Sequence, residues 1–366
     1  MTTDIKGGLA ARLLAAALFY AGLEGLFFHS GLYARILEPD STTGRLEIKI
    51  DNEIRRPKPD RNQVLAVGHS RMALLPKVAD EMKPRTGYTF ATIWLGGTTP
   101  RTWYYTLRAV DPHAHNYAAI LIPEDDYNEP DSWADSAESE SDLHYLIARL
   151  RMRDLLDFPW TYTSARLRWT AYEGIALKGM VYRQDFQEFL NHPLERIEKA
   201  QLYRRDSAGW YYDAEGGDNS LAGLEIDWAK KVARFPPGVS DAERKRIEGE
   251  LFQDHPPDAG RETAYRLYWF GRTLERYRGS RTKIIFLRVP RAPVSPPEVP
   301  PKLNSAVRQL ASRPEAIVLD EHLLDSLERP ELLWDSMHLN REGLIRFTQM
   351  LVTEVRRKLG PPIGGD

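Results

Sequence analysis

The chain has no cysteine among its 366 residues. Disulfides, thiolate metal sites and a cysteine nucleophile are thereby excluded, and the absence fits either side of a membrane. Excess charge is also lacking. The 50 Lys and Arg against 52 Asp and Glu leave a formal charge of −2, so no broad basic face for nucleic acid is expected. Apolar and aromatic residues are plentiful, at 42% and 10%. A chain of this length and composition buries a full core, as one large domain with an insertion or as two domains.

The N-terminus does not read as globular. From Gly7 to Phe28 the run "GGLAARLLAAALFYAGLEGLFF" has the length needed to cross a bilayer as a helix. Arg12 and Glu24 interrupt it. Arg12 lies near enough to one end to snorkel, whereas Glu24 needs water, a partner or a place near the other end. No small-x-small cleavage site follows, which favours a signal-anchor helix over residues 1–30 above a cleaved signal peptide. The competing reading is an amphipathic helix docked on the domain. Lys6 and Arg12 on one side, and Arg35 and Arg45 on the other, leave the orientation open. The stretch "EPDSTTGRLEIKIDNEIRRPKPDRN" is polar, with Pro57 and Pro59, and residues 31–60 are predicted as a linker or edge structure.

Five short apolar runs follow: "QVLAVGHS", "YTFATIWLGG", "NYAAILIPEDD", "TKIIFLRVP" and "EAIVLD". Runs apolar on both faces and spaced by helical pattern indicate a parallel sheet covered on both sides. The expectation is an α/β fold: a flavodoxin-like three-layer α/β/α sandwich with a five-stranded parallel sheet, built from residues 61–142 and 281–366. Residues 143–280 are helical in pattern and too long for a simple crossover. They predict an insertion that overhangs the carboxyl ends of the strands. Trp210, Tyr211 and Tyr212 within it serve either sugar stacking or core packing.

Functional groups in such folds gather at the carboxyl ends of the strands. Ser70 directly follows the first run, in "VGHSRM"; read alone it caps the turn, and in context it is exposed as a nucleophile. Gly96 and Gly97 end the second run in "LGGTTP" and allow a backbone N–H to be aimed into a site. Arg288 and Arg291 flank "VP" at the end of the fourth and suit a forked grip on an anion, or are ordinary surface residues. Residues 124–142 hold nine acidic residues and no basic one, which reads as a solvated loop rather than a calcium site. His113 and His115 lie at the opposite strand end, so no metal is expected. Asp335 and His338 stand three apart in "WDSMHLN", just ahead of a strongly periodic helix that Asn340 is placed to cap.

In order and spacing, Ser70, the glycine pair and the Asp335-x-x-His338 segment resemble the SGNH, or GDSL-like, hydrolase superfamily. The likeness covers residues 60–128 and 280–358. It implies a triad of Ser70 as nucleophile, His338 as base and then acid, and Asp335 as the orienting carboxylate, with no cofactor. The oxyanion hole would draw on Ser70, Gly96 and Gly97. The N-terminal anchor, "GHSRM" and "LRVPRAP" are similar to the membrane-anchored branch linked to O-acylation of cell-surface polymers. That branch implies an esterase or O-acyltransferase for an acylated glycan or other ester substrate. It also implies the bacterial cytoplasmic membrane, the outer side of that membrane, and a membrane acyl-transfer partner. Arg71, Arg288 and Arg291 would then meet the substrate. Two departures stand out. His69 replaces the usual aspartate of G-D-S, and Asp125 falls where the family has the oxyanion-hole asparagine of G-x-N-D. A carboxylate there would repel an oxyanion, so Asn128 is the expected substitute. If nothing substitutes, the chain is instead a catalytically weak or inactive module that binds or scaffolds in polysaccharide modification or export.

Overall fold

The computed structural model describes residues 3–58, 61–124, 137–205, 221–252, 261–291, 305–335 and 337–362. Its strands are β1 (Gln63–Gly68), β2 (Thr89–Trp94), β3 (Ala119–Glu124), β4 (Glu225–Asp227), β5 (Val232–Arg234), β6 (Lys283–Arg288) and β7 (Ala316–Val318). Its helices begin with α1 (Thr3–Leu23), α2 (Thr42–Arg55), α3 (Pro76–Thr86) and α4 (Pro100–Val110). There follow α5 (Ala137–Leu146), α6 (Ala165–Ala176), α7 (Lys178–Val181), α8 (Arg183–Asn191) and α9 (Pro193–Arg205). The last are α10 (Asp241–Leu251), α11 (Arg261–Arg276), α12 (Ser305–Leu310) and α13 (Arg341–Leu359). The chain divides into two compact units, Met1–Asn52 with Ser139–Ser207, and Glu53–Glu138 with Ala208–Asp366.

The second unit holds the sheet. Among the described residues it has five parallel strands in the order β2-β1-β3-β6-β7, with β4 and β5 as a separate antiparallel hairpin. β1 and β3 are buried along their whole length, as strands covered on both faces must be. Val64, Leu121 and Ile285 share one core with Leu344, Phe347 and Leu351 of α13, which packs beside α3. On the other face Phe286 meets Phe270 of α11 at 5.1 Å between ring centroids, and Phe270 stacks on Trp103 of α4. The three layers and the five-stranded parallel sheet are therefore as the sequence predicts. The strand order reverses between β1 and β3, and the crevice beyond their carboxyl ends is where such sheets place ligands.

Local sequence explains the helix starts. Pro76 and Pro100 occupy first-turn positions in α3 and α4, where a missing N–H costs nothing. Asn340 caps α13, its Oδ1 accepting the Gly343 N–H at 3.0 Å while its Nδ2 donates to the Glu331 carbonyl at 2.8 Å. Asn340→Ala is expected to lower stability by about 1 kcal/mol or somewhat more. The urea midpoint should fall with an unchanged slope.

Two expectations need correction. Residues 42–55, expected as linker or edge, form α2. The stretch expected as a single insertion divides, with residues 139–207 joining the N-terminal segment and residues 208–280 the sheet unit.

In the N-terminal unit α1 runs into a π-helical turn, Glu24–Phe28. Leu9–Phe28 is long and apolar enough to cross a membrane, with a mean hydropathy of 1.5 and little of it buried. Glu24, the awkward carboxylate in this run, is 6% exposed. It accepts hydrogen bonds from the Tyr20 hydroxyl at 2.9 Å and the Gly179 N–H at 2.7 Å. The need for a polar partner is thus met from within the protein.

Candidate active site

Ser70 opens a short 3-10 turn, Ser70–Met72, just past the end of β1. The turn depends on Gly68, where a Cβ would lie 2.5 Å from Pro123 Cγ and 2.8 Å from Met72 Cβ. His69 closes it from below. Its Nδ1 accepts the Arg71 N–H at 3.2 Å, and its carbonyl accepts the Met72 N–H at 3.0 Å. The histidine therefore caps the turn as an aspartate would. Neither bond uses the Ser70 N–H.

The Ser70 hydroxyl lies 2.8 Å from Nε2 of His338. On the far side of the ring, Nδ1 is 2.7 Å from Oδ2 of Asp335. Oδ1 of the same carboxylate accepts the backbone N–H groups of Met337 at 2.8 Å and His338 at 2.6 Å. The three-residue spacing thus serves two ends: it wraps a turn around one oxygen and presents the other to the imidazole. With Nδ1–H donating to the carboxylate, Nε2 carries the lone pair that faces the serine.

The segment is held at both ends. The Trp334 N–H donates to the His338 carbonyl at 3.1 Å, the Asn340 N–H donates to the Leu332 carbonyl at 2.8 Å, and Leu333 and Leu339 form a bridge. The Trp334 indole stacks on the imidazole, 5.5 Å between centroids, which restricts ring rotation. Asp335 is 1% exposed. Burial pushes its carboxyl up, but the hydrogen bond and charge of His338, together with the two N–H groups, outweigh burial and hold it below the usual carboxylate range. It stays ionised at neutral pH.

Arg246 of α10 is a residue the sequence does not flag. Its Nη2 lies 3.3 Å from Asp335 Oδ2 and also bonds Glu243. It sits in "SDAERKRIEGELF", where its charge fits the solvated face of an amphipathic helix, and only the fold brings it to a carboxylate 89 positions on. Because the arginine is partly exposed, its contribution is modest. Arg246→Ala is expected to lower kcat by about tenfold or less with KM unchanged, and Arg246→Lys to restore part of it. An unchanged kcat in the alanine variant would remove this positioning role.

Gly96 and Gly97 form the exposed turn after β2, with Gly97 at φ 70° and open space where a Gly96 Cβ would sit. The turn is fastened to β1 by the Leu95 N–H, which donates to the Gly68 carbonyl at 3.2 Å, while the Thr98 hydroxyl closes the turn on the Leu95 carbonyl at 2.7 Å and lies 3.2 Å from that of Gly68. Thr98 also accepts the Trp103 indole N–H at 3.0 Å, and Thr99 pairs with the Tyr265 hydroxyl. Their hydroxyls are taken up by structure.

The arginines depart from expectation. Arg288 is buried, with its guanidinium paired to Asp325 and Glu328 and its Nε donating to the Glu321 carbonyl at 2.8 Å. It fastens the loop that leads into the Asp335–His338 segment instead of waiting for an anion. Arg71 is buried and donates to the Val289 carbonyl at 3.2 Å, tying the serine turn to the end of β6. Arg291 is buried too, with its backbone N–H 3.5 Å from Glu328 Oε1. None of the three is an open guanidinium in a pocket. Asp125 and Asn128, and the aromatic Trp210, Tyr211 and Tyr212, lie outside the described residues.

A hydroxyl hydrogen-bonded to an imidazole that is itself oriented by a buried carboxylate can be deprotonated as it attacks an electrophilic carbon. No protein-family model and no curated protein matches the chain.

Proposed function

We propose that the chain is a membrane-anchored serine esterase or O-acyltransferase of the SGNH type, acting on an ester of a cell-surface glycan. The observation that carries this reading is the unbroken sequence of hydrogen bonds from Ser70 through His338 to Asp335, at 2.8 and 2.7 Å. It stands at the carboxyl end of β1, beside the reversal in strand order.

In this reading Ser70 Oγ attacks the ester carbonyl carbon while its proton passes to His338 Nε2. The tetrahedral oxyanion is met by the N–H groups of Ser70, Gly96 and Gly97, with Asn128 as a further donor. As the acyl–oxygen bond breaks, Nε2 returns the proton to the departing alkoxide and leaves an acyl group on Ser70. Water, or a sugar hydroxyl, then gives its proton to Nε2 as it attacks the acyl carbon. Ser70 leaves with that proton and the cycle closes. Asp335 holds the ring and stabilises the imidazolium at both stages. The anchor Leu9–Phe28 keeps the enzyme at the bacterial cytoplasmic membrane with the sheet unit on the outer side, next to a membrane acyl-transfer protein that supplies or receives the acyl group.

The second reading, an inactive module in polysaccharide modification or export, rests on Asp125 in the place of the expected asparagine. Loss of one oxyanion donor lowers turnover by about 100- to 1,000-fold. The two readings separate in a rapid-mixing experiment on the full chain with a chromogenic acetyl ester. A burst of alcohol equal to the enzyme concentration, followed by turnover that a sugar acceptor accelerates, supports the acyl-enzyme. Release no faster than in Ser70→Ala leaves the binding module.

A further inference from the structure

We propose that α8 forms a second membrane contact, and that the groove between α8 and the N-terminal anchor holds lipid acyl chains; this rests on reading Leu9–Phe28 as a membrane anchor. The groove, about 620 Å³, is lined by Phe19, Leu23 and Leu26 of that run, by Leu32, and by Phe186 and Leu190 of α8. Leu26, Leu32 and Leu190 are 77%, 52% and 61% exposed. α8 carries its apolar residues at positions 186, 189 and 190, one face of a helix, with Gln187 and Glu188 between them and Arg183, Gln184 and Asp185 ahead, and buries none of its residues. Short helices of this pattern lie in the plane of a membrane interface.

The joint between anchor and helix is firm. Phe186 packs on Phe27 and Phe28 at 5.7 and 5.5 Å between centroids, and Phe189 packs on Tyr33 at 6.3 Å. Tyr33 in turn hydrogen-bonds Asp185. A bilayer that surrounds Leu26 must therefore border Leu190, which shares its groove. Glu24 gives an independent sign of the same depth. Its carboxylate is screened by the N–H of Gly179 in α7, so the segment that leads directly into α8 already supplies the polar group that a charge in a membrane helix requires. Continuity with the anchor makes lipid the occupant, rather than a partner helix.

The lack of native cysteine makes each introduced one unique. Nitroxides at Leu18→Cys, Leu32→Cys and Leu190→Cys, in the full chain reconstituted into phosphatidylethanolamine and phosphatidylglycerol vesicles, report collisions with oxygen, enriched in lipid, and with a water-soluble nickel chelate. Positions 32 and 190 are expected to follow position 18, with oxygen collisions several-fold above chelate collisions. If position 18 meets lipid while positions 32 and 190 meet the chelate, the second contact is wrong and the anchor stands. If position 18 itself meets the chelate, the anchor reading fails first and this inference with it. Shielding of position 190 from both reagents means that protein covers the groove, which also overturns the proposal.

Discussion

Ser70→Ala is expected to lower turnover of an activated acetyl ester by about 10⁴- to 10⁶-fold, and His338→Ala by a similar factor. The reason lies in the 2.8 Å contact between Oγ and Nε2. A hydroxyl without a base at that distance is a weak nucleophile, and a base without the hydroxyl has nothing to activate. Because the two act as one unit, the double variant should be no slower than either single one. Steady-state kinetics on the three variants checks this directly. Multiplicative losses, or a His338→Ala enzyme that keeps a tenth of its activity, would mean that the pair does not act together.

Asp335→Asn is expected to lower kcat by about 10⁴-fold with little effect on KM, as in hydrolytic triads generally. Oδ1 accepts two backbone N–H groups and Oδ2 accepts the imidazole N–H. An amide has only one acceptor oxygen. Turned toward Met337 and His338, it presents its NH₂ to Nδ1 and forces the proton onto Nε2, where the imidazole can no longer take one from Ser70. The same substitution has a pH signature. The folded state holds Asp335 below the ordinary carboxylate value, so the unfolded chain binds its proton first. The stability gained from the ionised group is present at neutral pH and is lost as the pH falls through the ordinary value and then the lowered one. The gap in unfolding free energy between wild type and Asp335→Asn should be widest above the ordinary carboxylate range and shrink as the pH falls through and below it. A gap constant over that range would contradict the assignment.

The sheet was legible because its strands are buried on both faces, so β1 and β3 read as unbroken apolar runs that end where the chemistry begins. Asp335 and His338 were legible because the turn that brings them together is local. α2 was hidden. "LEIKI" alternates like an edge strand, yet Thr43, Leu46, Glu47 and Ile50 lie buried along a helix. Glu47 counts as polar in any pattern, and its burial depends on Arg149 at 2.7 Å. Arg246 and the true partners of Arg288 were hidden for a related reason: charged residues look alike in sequence, and the carboxylates they meet are fixed by tertiary contacts 89, 37 and 40 positions away. In the sequence Arg288 reads as a substrate contact from its place at a strand end, and Arg71 from the family resemblance alone. Burial has turned both toward the scaffold.

The proposed chemistry requires Ser70 to be a nucleophile activated by His338. The most direct measurement is to treat the full chain with a fluorophosphonate and to locate the adduct by mass spectrometry. The expected result is one adduct, on Ser70, absent from Ser70→Ala and formed far more slowly in His338→Ala. No adduct on wild type, or an adduct on another residue, would contradict it.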